Sequence, residues 1–164
     1  MSGNDKPDAS GFGNEIPFVA LLGFELELYE GGESVIGYTP KPEHQNSFGV
    51  THGGACMTLL DVAMARAARS MAKDMGAITI EMKTSFMRPT PGDGSRLTGK
   101  GRIVHRTASL VFTEATIYDA QGQACAHATG TFKYAKPRPA APGPGSANAD
   151  QAPAEASRSI ISSD

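Results

Sequence analysis

Asn46, His52-Gly53-Gly54 and Asp61 fall within sixteen consecutive residues, NSFGVTHGGACMTLLD. Two glycines at the opening of a helix leave backbone N–H groups that no side chain screens, and the helix dipole adds positive potential there. Such donors suit an anion, or a carbonyl oxygen that gains negative charge during acyl transfer. A nearby carboxylate supplies either a general base or a nucleophile. Each residue also has a plainer role. His-Gly-Gly makes a tight loop, Asn46 forms turns, His52 bonds locally, and Asp61 sits at the edge of a wet face. The combination of a carbonyl-polarising loop and an acid in one short segment is what points to chemistry.

The element that must position them is a helix predicted over residues 53–74, about 30 Å long at 1.5 Å per residue. Met57, Leu60, Met64, Ala67 and Met71 recur at helical spacing as an apolar stripe. Arg66, Arg69 and Lys73 form a charged stripe. Thr58, Asp61, Ala65, Ala68 and Ala72 form a strip of small side chains suited to close approach by another backbone. Gly53 and Asp61 are eight residues apart, hence about 12 Å along the axis. An Asp side chain cannot cover that distance. The two meet only if a second copy pairs with its helix antiparallel, which a two-fold dimer achieves with two equivalent sites.

Around this helix the pattern alternates with period two. Phe24, Leu26 and Leu28 mark a first strand, the Gly31-Gly32 turn follows, and 34–39 pairs back. Ile78, Ile80, Met82, Thr84 and Phe86 share one face of a later strand, with Thr79 on the other face and so turned away from its own helix. Strands over about 95–106, 108–119 and 123–135 complete roughly six, mostly hairpin-connected and antiparallel. A helical turn is expected within 15–22. One long helix against one antiparallel sheet is an α+β architecture.

The chain has 164 residues, 40% apolar and 20% charged, with net charge −2. That is one domain, expected over residues 15–136, between a flexible stretch at 1–14 and a tail at 137–164. From Lys136 onward, nineteen of 29 residues are Ala, Pro, Ser or Gly, too little apolar surface to offset the entropy of ordering. The slight acidity argues against nucleic acid as a partner. No apolar run reaches the roughly 20 residues that span a bilayer, and the opening residues lack the core of a secretory signal. Cys56 and Cys125 have no metal or redox spacing, and neither do His44, His105 and His127. A cytoplasmic protein without metal or redox cofactor is expected.

The Asn46, HGG and Asp61 spacing resembles the signature of hotdog-fold acyl-CoA thioesterases, nearest the phenylacetic-acid-degradation type, over about 22–135. The resemblance implies a curved antiparallel sheet wrapping one long helix, and homodimers that pair into tetramers. It implies an acyl-CoA substrate, with coenzyme A as part of that substrate. By the same resemblance the Gly53 N–H polarises the thioester carbonyl and Asn46 holds water or assists. Asp61 of the partner chain acts as base or nucleophile, Thr79 positions water or the acid, and His52 supports the loop. A non-catalytic acyl-CoA-binding or regulatory protein is the alternative. Gly54 and Phe48 are expected at the substrate. Among five basic residues in 88–106, Arg88, Arg102 and Arg106 are candidates for the coenzyme phosphates. Arg96, Lys100, Arg102 and Arg106 share strand parity, and the glycines of 92–101 are expected to let a nucleotide approach the backbone. Phe48, Met57, Met64 and Phe86 are expected to shape the acyl pocket.

Overall fold

The computed structural model describes residues 11–12 and 16–136. Of the expected flexible stretch 1–14, residues 1–10 and 13–14 lie outside them, as does the tail at 137–164, whereas Phe12 is buried in the core instead of belonging to a flexible end. The elements are α1 (Pro17–Leu22), β1 (Glu25–Glu30), β2 (Glu33–Tyr38), a 3-10 turn (Pro42–His44), α2 (Gly53–Ser70), β3 (Gly76–Phe86), β4 (Leu97–Arg106), β5 (Leu110–Tyr118) and β6 (Ala124–Ala135). The strands form one antiparallel sheet in the order β1-β2-β4-β5-β6-β3, with β1 and β3 as its open edges. This is the α+β hotdog architecture expected: a long helix packed on a curved six-stranded sheet that does not close.

Helix α2 buries Leu59, Leu60, Ala63, Met64 and Ala67 completely. Fully burying each leucine contributes about 1.5–3 kcal/mol. The helix lies on the sheet where side chains are missing. A Cβ on Gly99 would stand 3.0 Å from Leu59 Cγ, and one on Gly101 only 2.4 Å from the Ala63 carbonyl oxygen. The Ser34 hydroxyl donates to that same Ala63 carbonyl at 2.7 Å. These glycines seat the helix, and Gly92 is packed on the backbone of residues 49–51. They do not form the open nucleotide loop the sequence suggested.

Three helical expectations are corrected. Met57 and Met71, the ends of the apolar stripe, are exposed. Arg66 belongs to no solvated face: it is 6% exposed, with its guanidinium over the Phe12 ring at 4.6 Å and the Tyr29 ring at 5.9 Å. The helix ends at Ser70, before residue 74, because its last carbonyls are taken elsewhere. Tyr134 and Tyr29 hydroxyls donate to the carbonyls of Ala68 and Arg69 (2.8 and 3.1 Å), and the Ala72 N–H tightens onto Arg69. Gly76 opens β3.

Two bulges reset side-chain parity. The β3–β6 register slips between Thr79 and Glu81, so Ala77 and Thr79 before the bulge and Met82 after it all turn toward α2. Ile78 and Ile80 are left 54% and 57% exposed on the other side. The β4–β5 register slips between Ile103 and His105, which puts Arg106 opposite buried Val111 while Arg102 pairs with Glu114 on the outer face.

Candidate active site

Residues 45–51 form a tight loop before α2. The Asn46 side-chain oxygen accepts from the Phe48 N–H at 2.9 Å, and its backbone closes the turn with Val50 and Gly49. Gly49 has φ +73°, which only glycine adopts without strain. The loop is tied to the segment after β3: Gln45 Nε2 donates to the Gly92 carbonyl at 2.6 Å, Thr51 N–H to Thr90 at 3.0 Å, and the Thr51 hydroxyl to Pro91. Bonding Asn46 through its oxygen leaves its amide N–H2 without an acceptor among the described residues.

His52 is the N-cap of α2. Its ring nitrogen accepts from the Gly54 N–H at 2.9 Å, and its carbonyl accepts from Ala55 and Cys56. Three of the first N–H groups of the helix are thereby engaged. The Gly53 N–H has no partner among the described residues and stands at the positive end of the helix. Gly53 opens onto a cavity of about 610 Å³ lined by Asn46, Phe48, Val50, Phe86, Met87 and Arg88, among others. Phe86 lies against Gly53, 3.4 Å from where a Cβ would be. Gly54 is beside this cavity without lining it, its N–H spent on the cap.

Asp61 sits two turns along α2, half-buried. Its Oδ1 accepts from the Thr79 hydroxyl at 2.7 Å. Burial raises its carboxyl pKa above the ordinary value, and the Thr79 bond pulls it back in part. The Thr79 side chain therefore does face its own helix, contrary to the alternation, because of the bulge at Ile80. Asp61 lines a second groove of about 380 Å³ with Phe18, Met57, Thr58 and Met82. Within one protomer, Gly53 and Asp61 thus serve different cavities.

The basic residues separate. Arg88 lines the Gly53 cavity and is held by a bond from its guanidinium to the Gln123 side chain. Arg102 is outside it, paired with Glu114 at 2.5 Å, and Arg106 stands beside Tyr134 on the helix side of the sheet. Arg96 is taken by Glu25 and Glu27, each at 2.6 Å. Of the residues expected to shape the acyl pocket, Phe48 and Phe86 line the Gly53 cavity, Met57 lines the Asp61 groove, and Met64 is core. Cys56 is buried, which pushes its thiol pKa up and removes it as a nucleophile. Among the described residues no group of three His, Cys, Asp or Glu could hold a metal ion, and no helix is long and apolar enough to cross a membrane.

Residues 48–126 match the family model of the thioesterase superfamily. The fold is the hotdog fold, and the match makes the chain similar to the hotdog-fold thioesterases, a class of thioester hydrolases. Among curated proteins it is 29% identical over 112 residues to SSO1253 of Saccharolobus solfataricus, provisionally named an esterase, covering 68% of this chain and 73% of that one. Two solved structures share its fold. The E. coli PaaI protein from the phenylacetic acid degradation operon aligns with TM-score 0.68 and 23% identity, over 73% of this chain and 84% of that one. The smu.793 protein of Streptococcus mutans bound to acetyl CoA aligns with TM-score 0.64 and 23% identity, over 71% of this chain and 91% of that one.

Proposed function

We propose that this protein hydrolyses an aryl- or medium-chain acyl-CoA thioester at sites shared between two copies of the chain. The observation that carries the reading is the unpartnered Gly53 N–H, set at the start of α2 in a largely apolar cavity. A carboxylate without a neighbouring cation lies two turns further along the same helix. Antiparallel pairing of two α2 helices sets Gly53 of one protomer beside Asp61 of its partner. The open edge of β3 and the exposed Met57 beside Asp61 are consistent with such a pairing. A coenzyme A thioester bound to a protein of the same fold supports the substrate class.

In this arrangement the thioester oxygen accepts from Gly53 N–H and gains the helix dipole as charge develops. Asn46, with its free amide donors in the same cavity, orients the attacking water or the carbonyl. Asp61 either takes a proton from that water or attacks the carbonyl carbon itself, giving an anhydride that water then opens. Either way the C–S bond breaks, the acyl group leaves as the acid, and the coenzyme A sulfur takes up a proton. Arg88 at the cavity rim faces coenzyme phosphates, and Phe48, Phe86 and Met87 contact the acyl chain.

A panel of aryl- and alkyl-CoA esters, read with a thiol-trapping dye, tests the reaction. Turnover is expected on at least one, with Asp61→Asn slower by about a hundredfold or more. No turnover on any ester, or full rate in Asp61→Ala, removes the reading. Sharing of the site is tested by mixing Asp61→Asn with Gly53→Pro under conditions of subunit exchange. Half of the dimers are then mixed and each regains one of two sites, so about a quarter of wild-type activity returns. Sites confined to one protomer would return none.

A further inference from the structure

We propose that His44 is a positioning residue for the Gly53 amide, locked to the core by Tyr38. The proposal rests on the reading of Gly53 given above. The peptide unit joining His52 to Gly53 is one rigid plane that carries the Gly53 N–H. Its direction is set by how residue 52 is held, with φ −60° and ψ 136°. On its carbonyl side His52 is bonded only by α2 itself, through Ala55 and Cys56. Its own N–H donates to the His44 carbonyl at 2.8 Å. That bond ties residue 52 to something other than the helix it caps.

His44 is in turn anchored by its ring. It is 8% exposed, and its Nδ1 meets the Lys41 N–H at 3.2 Å and the Tyr38 hydroxyl at 2.9 Å. A backbone N–H can only donate, so Nδ1 is the acceptor, the ring proton is on Nε2, and Tyr38 donates. Tyr38 is fully buried, packed edge-on against Phe24 with centroids 4.9 Å apart. Burial keeps its hydroxyl protonated, pushed up to about 12. The result is a continuous series from β2 to the reacting end of α2: Phe24, Tyr38, His44, His52, Gly53. His44 touches none of the reacting atoms. Its work is to hold the amide at a fixed angle, where a displacement near 1 Å costs as much as a hundredfold in rate.

The test is Tyr38→Phe, which deletes one hydroxyl and keeps the ring, with His44→Gln as the harsher companion, both in the full-length protein. The readouts are kcat and KM with benzoyl-CoA and octanoyl-CoA and the ¹H–¹⁵N resonance of Gly53. Tyr38→Phe is expected to lower kcat about tenfold, leave KM within about twofold, and move the Gly53 resonance. The control is Tyr29→Phe, which removes the hydroxyl bonded to Arg69 at the far end of α2. It should lower Tm with kcat unchanged. An unmoved Gly53 resonance in Tyr38→Phe, or a kcat loss no greater than that of Tyr29→Phe, overturns the proposal. If the wild-type protein cleaves neither ester, the hydrolase reading fails for those acyl groups and the resonance alone still decides the role of His44.

Discussion

The Thr79 hydroxyl donates to Asp61 Oδ1 at 2.7 Å within a single protomer. The strand that follows α2 thus returns to hold the acid that α2 carries. Burial favours the protonated carboxyl and this bond favours the ionised one.

The bond has a measurable consequence for pH dependence. Removing it in Thr79→Val lets desolvation act unopposed, so the Asp61 pKa rises further. The proposed reaction needs the ionised carboxylate, so the acidic limb of the kcat profile should move to higher pH. Thr79→Ser, which keeps the hydroxyl, should leave the limb near its original position. A limb that stays put in Thr79→Val would separate the acid from its neighbour.

Gly53→Pro isolates the amide. Proline is tolerated in the first turn of a helix, and the extended backbone of His52 suits the residue before it. The substitution should preserve far-UV circular dichroism while removing the N–H proposed to bind the thioester oxygen. A loss of about a hundredfold or more in kcat is expected, as for the removal of an oxyanion donor.

Asp61→Asn should trade activity for stability. The folded-state pKa of Asp61 is raised, so the protein binds its proton more tightly folded than unfolded. Stability from this group is therefore present below the ordinary carboxylate range and is lost as pH rises through the raised value. The neutral amide escapes that loss. Calorimetry should find Asp61→Asn more thermostable than wild type at neutral pH, with the gap closing as the buffer is acidified.

Arg88 and Arg102 should part in kinetics. Arg88→Ala is expected to raise KM for acyl-CoA by about tenfold and to leave KM unchanged for a short thioester of the same acyl group lacking the nucleotide. Arg102, engaged by Glu114 outside the cavity, should give wild-type constants with both substrates when changed to Ala.

Gly101→Ala should be costly although it adds one methyl. That methyl would stand 2.4 Å from the Ala63 carbonyl oxygen and 2.9 Å from Ser34 Oγ, where backbone and not a flexible tip must yield. Overpacking of this kind costs about 1–3 kcal/mol, which denaturant unfolding resolves.

Much of this molecule is written locally. The period of 3.6 over Leu60, Met64 and Ala67 and the alternation of β1 announce the helix and the sheet, and Asn46, Gly53 and Asp61 announce the two halves of the proposed site. What local pattern does not carry is register. A single extra residue at Ile80 inverts the parity before it, so the alternation assigned Thr79 to the wrong face; the slip at Ile103 likewise divides Arg102 from Arg106. Arg66 entered the charged stripe because its charge is visible in the sequence and its two aromatic neighbours, thirty-seven and fifty-four residues away, are not. His44 gave no signal of its own, since its backbone carbonyl is one any residue possesses and the Tyr38 hydroxyl that holds its ring is a contact the sequence pattern does not mark.

The glycine seats under α2 bear on how such a protein could change its diet. With Leu59 resting on Gly99 and Ala63 on Gly101, helix and sheet are flush, and no side chain between them can be trimmed to make room. On the function proposed above, space for a bulkier or slimmer acyl group comes from the rim, at Phe48, Phe86 and Met87, where replacements leave the scaffold untouched. Selectivity can drift there over generations while the clamp beneath stays the same.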